Sequence, residues 1–228
     1  MSSNSFLSSL KLIIFDSDGI VLNSNHIKIN CFCDIADKFL GIDSKNLVLD
    51  YILKNKHATR VEIINYIVSM NNEITHKNKS NIFNILMKNF IGCAFNKLKS
   101  CEYSPALKAM KSLTNQIPWA VVTAGDEAET KKIYSSKQID HLFEAGIYGS
   151  PLNKYQIMDR LNCKFGPYKS GTVLFIGDSY TDFELSSYYN GLFVGIDQWS
   201  VCEKLKLFES RYYGYFSSLE EMSSKLFS

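Results

Sequence analysis

Lys11-Leu-Ile-Ile-Phe-Asp-Ser-Asp-Gly19 carries four consecutive apolar residues, Leu12 to Phe15, straight into two carboxylates and a glycine. So short and uniform an apolar run reads as a strand buried on both faces, and Asp-Ser-Asp-Gly as a tight loop at its carboxyl end. Three later segments repeat the pattern: Trp119-Ala-Val-Val122 before Thr-Ala-Gly, Phe143 to Tyr148 before Gly-Ser-Pro, and Val173-Leu-Phe-Ile176 before Gly-Asp-Ser. Helix-like stretches lie between them, their starts marked by Ser104-Pro105 and by Asp126 with Glu129 three residues on. This alternation predicts an α/β fold, a doubly wound parallel sheet with helices on both faces, which takes ligands beyond the carboxyl ends of its strands.

Residues 25–99 break the alternation. Ile27, Cys31 and Ile35 are four apart, and Val61, Ile64 and Val68 share a helical face behind a Thr59/Glu62 capping box. The expectation is an all-helical insertion, a small cap over the loops. The core is then 1–24 with 100–228, and the cap 25–99.

Composition narrows the function classes. At 228 residues, 46% of them apolar and with 15 Phe and 13 Tyr, the chain can build a core domain carrying a smaller insert. The 25 basic and 23 acidic side chains are spread along it and form no basic stripe, so a nucleic-acid partner is not expected. The first apolar run is too short for a signal-peptide core, and none approaches the roughly 20 residues of a membrane span. A cytoplasmic protein with no membrane partner, monomeric or weakly dimeric, is the expectation. Six cysteines, at 31, 33, 93, 101, 163 and 202, include no CxxC pair. They read as reduced packing residues rather than a disulfide framework or a zinc site.

The chemistry gathers at the strand ends. Alone, Asp16 and Asp18 could be a solvated acidic turn. An EF-hand fails, because its glycine comes too early and Ile27 stands where a bidentate Glu is needed. Asp178 and Asp182, in Gly177-Asp-Ser-Tyr-Thr-Asp182, could equally be a helix cap and a first-turn acid. Together, however, carboxylates from two strand ends of one parallel sheet repel unless a divalent cation or a lysine lies between them. Hard oxygen ligands with room for water and phosphate favour magnesium. Thr123, otherwise an ordinary capping residue, offers a hydroxyl to a phosphate oxygen. Lys154, alone more often a plain surface lysine, begins a helix against the dipole, a small cost that a charge-neutralising role would explain.

Phe15-Asp-Ser-Asp-Gly-Ile-Val-Leu-Asn-Ser24, Val122-Thr123, Lys154 and Gly177-Asp-Ser-Tyr-Thr-Asp182 resemble, in order and spacing, the four motifs of the haloacid dehalogenase (HAD) superfamily. The insertion resembles the helical cap of its phosphoglycolate-phosphatase-like and β-phosphoglucomutase-like branch. That resemblance implies a HAD-like Rossmannoid core and phosphomonoester hydrolysis of a small phosphorylated substrate. Asp16 would be the nucleophile that is transiently phosphorylated, and Asp18 the acid and then the base. Magnesium would bind Asp16, the Asp18 backbone carbonyl and Asp178, with Asp182 behind them. Thr123, Lys154, Ser17 and Ala124 would hold the phosphoryl oxygens. Ile20, Asn23 and Ala124 stand where Thr, Asp and Asn are frequent, which bears on the positioning of cap and loop more than on the reaction class.

Asn23-Ser-Asn-His-Ile-Lys28, Ala58-Thr-Arg-Val-Glu62 and Gly149-Ser-Pro-Leu-Asn-Lys154 also look like a group of HAD proteins of surface-sugar biosynthesis. That points to a sugar or nonulosonic acid phosphate, with Arg60 either meeting a substrate carboxylate or phosphate or forming a surface salt bridge with Glu62 or another acid. The group's glycine before the Arg is replaced near Lys56 or His57, and its lysine after the Glu by Ile63. A sugar phosphomutase and a catalytically silent binding module of the same fold are the alternatives.

Overall fold

The structure is a computed structural model that describes residues 3–41, 43–55, 58–202 and 211–227; Lys56 and His57 lie outside them. The chain divides into two compact units, Met1–Ser24 with Cys101–Ser228, and Asn25–Ser100.

In the first unit the described residues form a six-stranded, wholly parallel sheet. Its strands are β1 (Leu12–Phe15), β2 (Trp119–Asp126), β3 (Gly146–Ser150), β4 (Val173–Gly177), β5 (Leu192–Ile196) and β6 (Gly214–Phe216), in the order β3-β2-β1-β4-β5-β6. After α1 (Ser3–Ser9), the chain enters the sheet at its centre. From β1 the next two strands are laid to one side and the last three to the other, so β1 and β4 flank the point where the winding reverses.

All four side chains of β1 are buried, as an apolar strand inside a parallel sheet requires. They alternate in direction. Leu12 and Ile14 join Ala120, Val122 and the buried face of α8 (Lys154–Phe165), which is Ile157, Met158 and Leu161. Phe15 points the other way, against Trp119 and Phe143 at ring-centroid distances of 4.7 and 5.7 Å. Phe143 in turn meets Tyr134 of α7 (Glu127–Ser136). The unit is completed by α6 (Ala106–Leu113), α9 (Tyr180–Tyr188) and α10 (Leu219–Leu226).

Some strand limits differ from the sequence expectation. β2 runs on through Thr123-Ala-Gly to Asp126, with a shift of register against β3 after Val122. β3 begins at Gly146, because Phe143 closes a short 3-10 turn over Asp140–Leu142.

The chain leaves this unit and returns to it at one place. Leu22 forms an antiparallel bridge with Tyr103, Asn23 N–H donates to Glu102 O (3.0 Å), and Ser104 N–H donates to Val21 O (3.0 Å).

The second unit consists of α2 (Asn25–Leu40), α3 (Asp43–Lys54), α4 (Arg60–Ser69) and α5 (His76–Lys99). Thr59 caps α4 with the capping box read from the sequence. Its buried face is Ile63, Ile64, Ile67 and Val68; Val61, expected on that face, is 47% exposed. Among the described residues no helix is long and apolar enough to cross a membrane.

Candidate active site

Sheet register brings the two acidic loops together. Phe15 is paired with Ile176 across β1 and β4, and Asp16 N–H donates to Ile176 O (2.9 Å), so Asp16 and Asp178 emerge side by side. Phe15 is also paired with Val121, which sets Thr123 at the neighbouring strand end. After Asp18 the chain reverses through Gly19, whose φ of +80° lies in the left-handed region that glycine adopts without strain. Its N–H then reaches Leu22 O (2.9 Å).

Oxygens of Asp16, Asp178 and Asp182 all lie within 4.8 Å of one another. Asp178 and Asp182 are buried. The Lys154 ammonium sits 2.6 Å from Asp182 Oδ1 and 3.1 Å from Asp16 Oδ1. Asp182 stands on the first turn of α9 and approaches this close because Gly177 has no Cβ; a Cβ there would fall 2.4 Å from that of Asp182. Ser179 donates to the other oxygen of Asp182, and Ser200 to the backbone carbonyl of Asp178 (2.8 Å). Lys154 begins α8 behind Asn153, whose side chain and that of Gln156 form a reciprocal capping box.

From Ile13 to Gly195 the sequence matches the family described as haloacid dehalogenase-like hydrolase. The chain belongs to that family. No curated protein matches its sequence. Among solved structures, this HAD chain resembles a protein of Haemophilus somnus 129pt described as a phosphoglycolate phosphatase by prediction, at TM-score 0.75 and 22% identity over 95% of this chain and 97% of that one. The Bacillus subtilis protein YfnB, described as a HAD-hydrolase bound to magnesium, gives 0.67 and 14% over 95% and 98%. A β-phosphoglucomutase of Clostridium difficile gives 0.66 and 14% over 93% of each chain.

The remaining residues of the HAD motifs take these places. Asp18 accepts a hydrogen bond from Ser24 Oγ at 2.5 Å. Thr123 is buried, and its hydroxyl oxygen accepts from Gly125 N–H (3.0 Å), so its hydrogen is directed elsewhere. Ala124 is exposed at the same strand end. Ser17 is buried; its N–H donates to Asp16 Oδ1 (2.8 Å) and its Oγ accepts from the Tyr134 hydroxyl (3.0 Å). Arg60 opens α4 in the second unit, its guanidinium 5.6 Å from the centroid of the Phe90 ring, while Glu62 is engaged by Thr59.

Burial governs the electrostatics. It pushes the Asp16 carboxyl up to about 7, against the pull of Lys154, and the charges of Asp182 and Asp18 add to the rise. Burial also works against the charge of Lys154, but Asp16 and Asp182 outweigh it and hold the ammonium above the usual lysine range. Burial raises the Tyr134 hydroxyl well above its ordinary value, so it stays a neutral donor.

Sequence reasoning assigned no role to Ser24, Ser179, Ser200, Tyr134 or the Asn153 cap. Ser24 and Ser179 lie inside the quoted motifs and Asn153–Gln156 has capping-box spacing, so those three were findable. Tyr134 meets Ser17 across 117 positions, with no local signal.

Proposed function

We propose that this HAD hydrolase is a magnesium-dependent phosphomonoester hydrolase. It works through an aspartyl-phosphate intermediate on a small phosphorylated metabolite, a sugar or nonulosonic acid phosphate being the favoured class. The supporting observation is the meeting of three carboxylates, from Asp16, Asp178 and Asp182, with the ammonium of Lys154. One lysine cannot offset three carboxylates crowded at one strand edge, and a divalent cation fits the remainder.

The donor set suits that ion: hard carboxylate oxygens within reach of one another, at the carboxyl edge of a parallel sheet. Asp16 and Asp178 would hold magnesium, with the Asp18 carbonyl, and Asp182 would support them through Lys154. The ion would neutralise phosphoryl charge and orient the phosphate. The magnesium-bound B. subtilis protein of the same fold is in keeping with this.

Asp16 supplies the nucleophile. Ser17 N–H and Lys154 both address its Oδ1, which orients the other oxygen for in-line attack on phosphorus. Asp18, steadied by Ser24, donates a proton to the departing alcohol and then takes one from the water that hydrolyses the aspartyl phosphate. Thr123 donates its hydroxyl hydrogen to a phosphoryl oxygen, and Lys154 shares its charge with the same group. Ser17 and Ala124 line the approach through their backbone. Residues 25–99 would act as the cap that selects substrate, with Arg60 meeting a substrate carboxylate or phosphate.

Phosphate release from a panel of phosphorylated sugars, nonulosonic acids and small acids, with magnesium and beside Asp16→Asn, tests the proposal. The wild type should turn over at least one member, and the variant should lose roughly a thousandfold or more in kcat while keeping its fold. Undiminished turnover by Asp16→Asn would exclude the mechanism. Interconversion of sugar phosphate isomers without phosphate release would make the enzyme a mutase.

A further inference from the structure

The second unit holds a cysteine pair that the hydrolytic reading does not use. Cys31 of α2 and Cys93 of α5 place their sulfurs 2.6 Å apart. Non-bonded heavy atoms settle at about 3.5–4.0 Å even for the smaller carbon, so these thiols stand well inside ordinary packing distance. The two helices are fastened to one another around the pair. Phe32 and Phe90 stack at 3.9 Å with their planes 11° apart, and Lys97 pairs with Asp34 at 3.0 Å. The sulfurs are therefore held together by contacts that neither of them supplies.

Their surroundings differ in a useful way. Cys31 is 0% exposed, whereas Cys93 is half-buried, the more accessible of the two. Burial, followed by the hydrogen bond with Cys93, pushes the Cys31 thiol up to about 12, so it is a poor first nucleophile. An accessible thiol backed by a buried one at contact distance is the arrangement in which a mixed disulfide formed on the first is resolved by the second.

We propose that Cys31 and Cys93 form a reversible disulfide joining α2 to α5, made by exchange with a low-molecular-weight disulfide such as oxidised glutathione. The Cys93 sulfur attacks one sulfur of the oxidant, whose S–S bond breaks and releases one thiol. The Cys31 sulfur then attacks Cys93 and expels the second. Two protein thiols are oxidised to one S–S bond, one small disulfide is reduced to two thiols, and the two cysteine protons leave with them. The bond closes a loop that contains α3 and α4, so it restrains the unfolded form of this unit and stabilises the folded one. This inference is independent of the reaction proposed above, because it concerns the second unit alone.

The test equilibrates the full chain in glutathione buffers of graded oxidation, blocks remaining thiols by alkylation, and maps peptides by mass spectrometry. The expected result is a cross-linked pair of peptides containing Cys31 and Cys93, about 2 Da lighter than the reduced pair. The melting temperature should rise by roughly 5 °C or more and return when dithiothreitol is added. Cys93→Ser, at the half-buried position, should fold, form no cross-link and show no oxidative rise. Recovery of Cys31 alkylated with glutathione still attached to Cys93, or of both cysteines alkylated across the whole redox range, would overturn the proposal.

Discussion

Asp16 shows what a buried carboxylate costs when its neighbours are also acidic. Its proton is bound more tightly in the folded chain, at about 7, than at the ordinary value of 3.8. Between those limits the folded state holds the extra proton, so this group favours folding at low pH and its contribution is lost as pH rises toward 7. Metal-free Asp16→Asn should therefore melt above the wild type at pH 8, by roughly 4 °C if about 2 kcal/mol is relieved, with the gap closing toward pH 4. Scanning calorimetry in chelator across that range measures it, and a variant less stable than the wild type at pH 8 would contradict the assignment. The charged members of this cluster were legible in the sequence because each follows an apolar strand or opens a helix. Their neutral supports were less so: Tyr134 reaches Ser17 only because α7 packs beside the loop after β1, a contact no spacing encodes.

At the scale of elements, helix starts set the cluster. Asn153 holds the first turn of α8, and with it the base of Lys154, through its bond from Gln156 N–H (2.9 Å). Asn153→Ala should cost about 1 kcal/mol in chemical denaturation and lower kcat more than it raises KM. Gly177→Ala is harsher, since the added methyl meets Asp182 Cβ at 2.4 Å and Cγ at 2.6 Å. It should destabilise by roughly 1–3 kcal/mol and displace α9; an unaltered denaturation midpoint would show that Asp182 moves aside freely.

The same scale explains where sequence reading stopped. β1 and β4 announce themselves as unbroken apolar runs between polar turns, and the insertion as a change of period. β5 is Leu-Phe-Val-Gly-Ile, an apolar run interrupted by a glycine, and β6 is only Gly-Tyr-Phe, so neither stands out in the sequence as β1 and β4 do. The limits of β2 moved because its partner β3 continues alongside Thr123 to Asp126, which is a tertiary effect. Val61 lies outside the buried face because α4 buries Ile63 and Ile67 with Ile64 and Val68, a face shifted from the stripe the spacing offers.

For the molecule as a whole, a cation held as proposed by Asp16 and Asp178 would bind only the folded form. Magnesium at a hundredfold excess over its dissociation constant should add about 2.7 kcal/mol of stability, and Asp178→Asn should abolish that gain. Thermal melts with and without the ion check this apart from any assay of turnover, and identical magnesium responses in the two proteins would remove Asp178 from the site.

The junction at Leu22 and Tyr103 has a further consequence. Because departing and returning segments are hydrogen-bonded neighbours, the sheet sees residues 25–100 as a parenthesis whose brackets already touch. Closing a chain excursion costs only about 0.6 kcal/mol more for each doubling of its length. A longer or shorter excursion between the brackets would therefore leave the register of the strands beneath it unchanged.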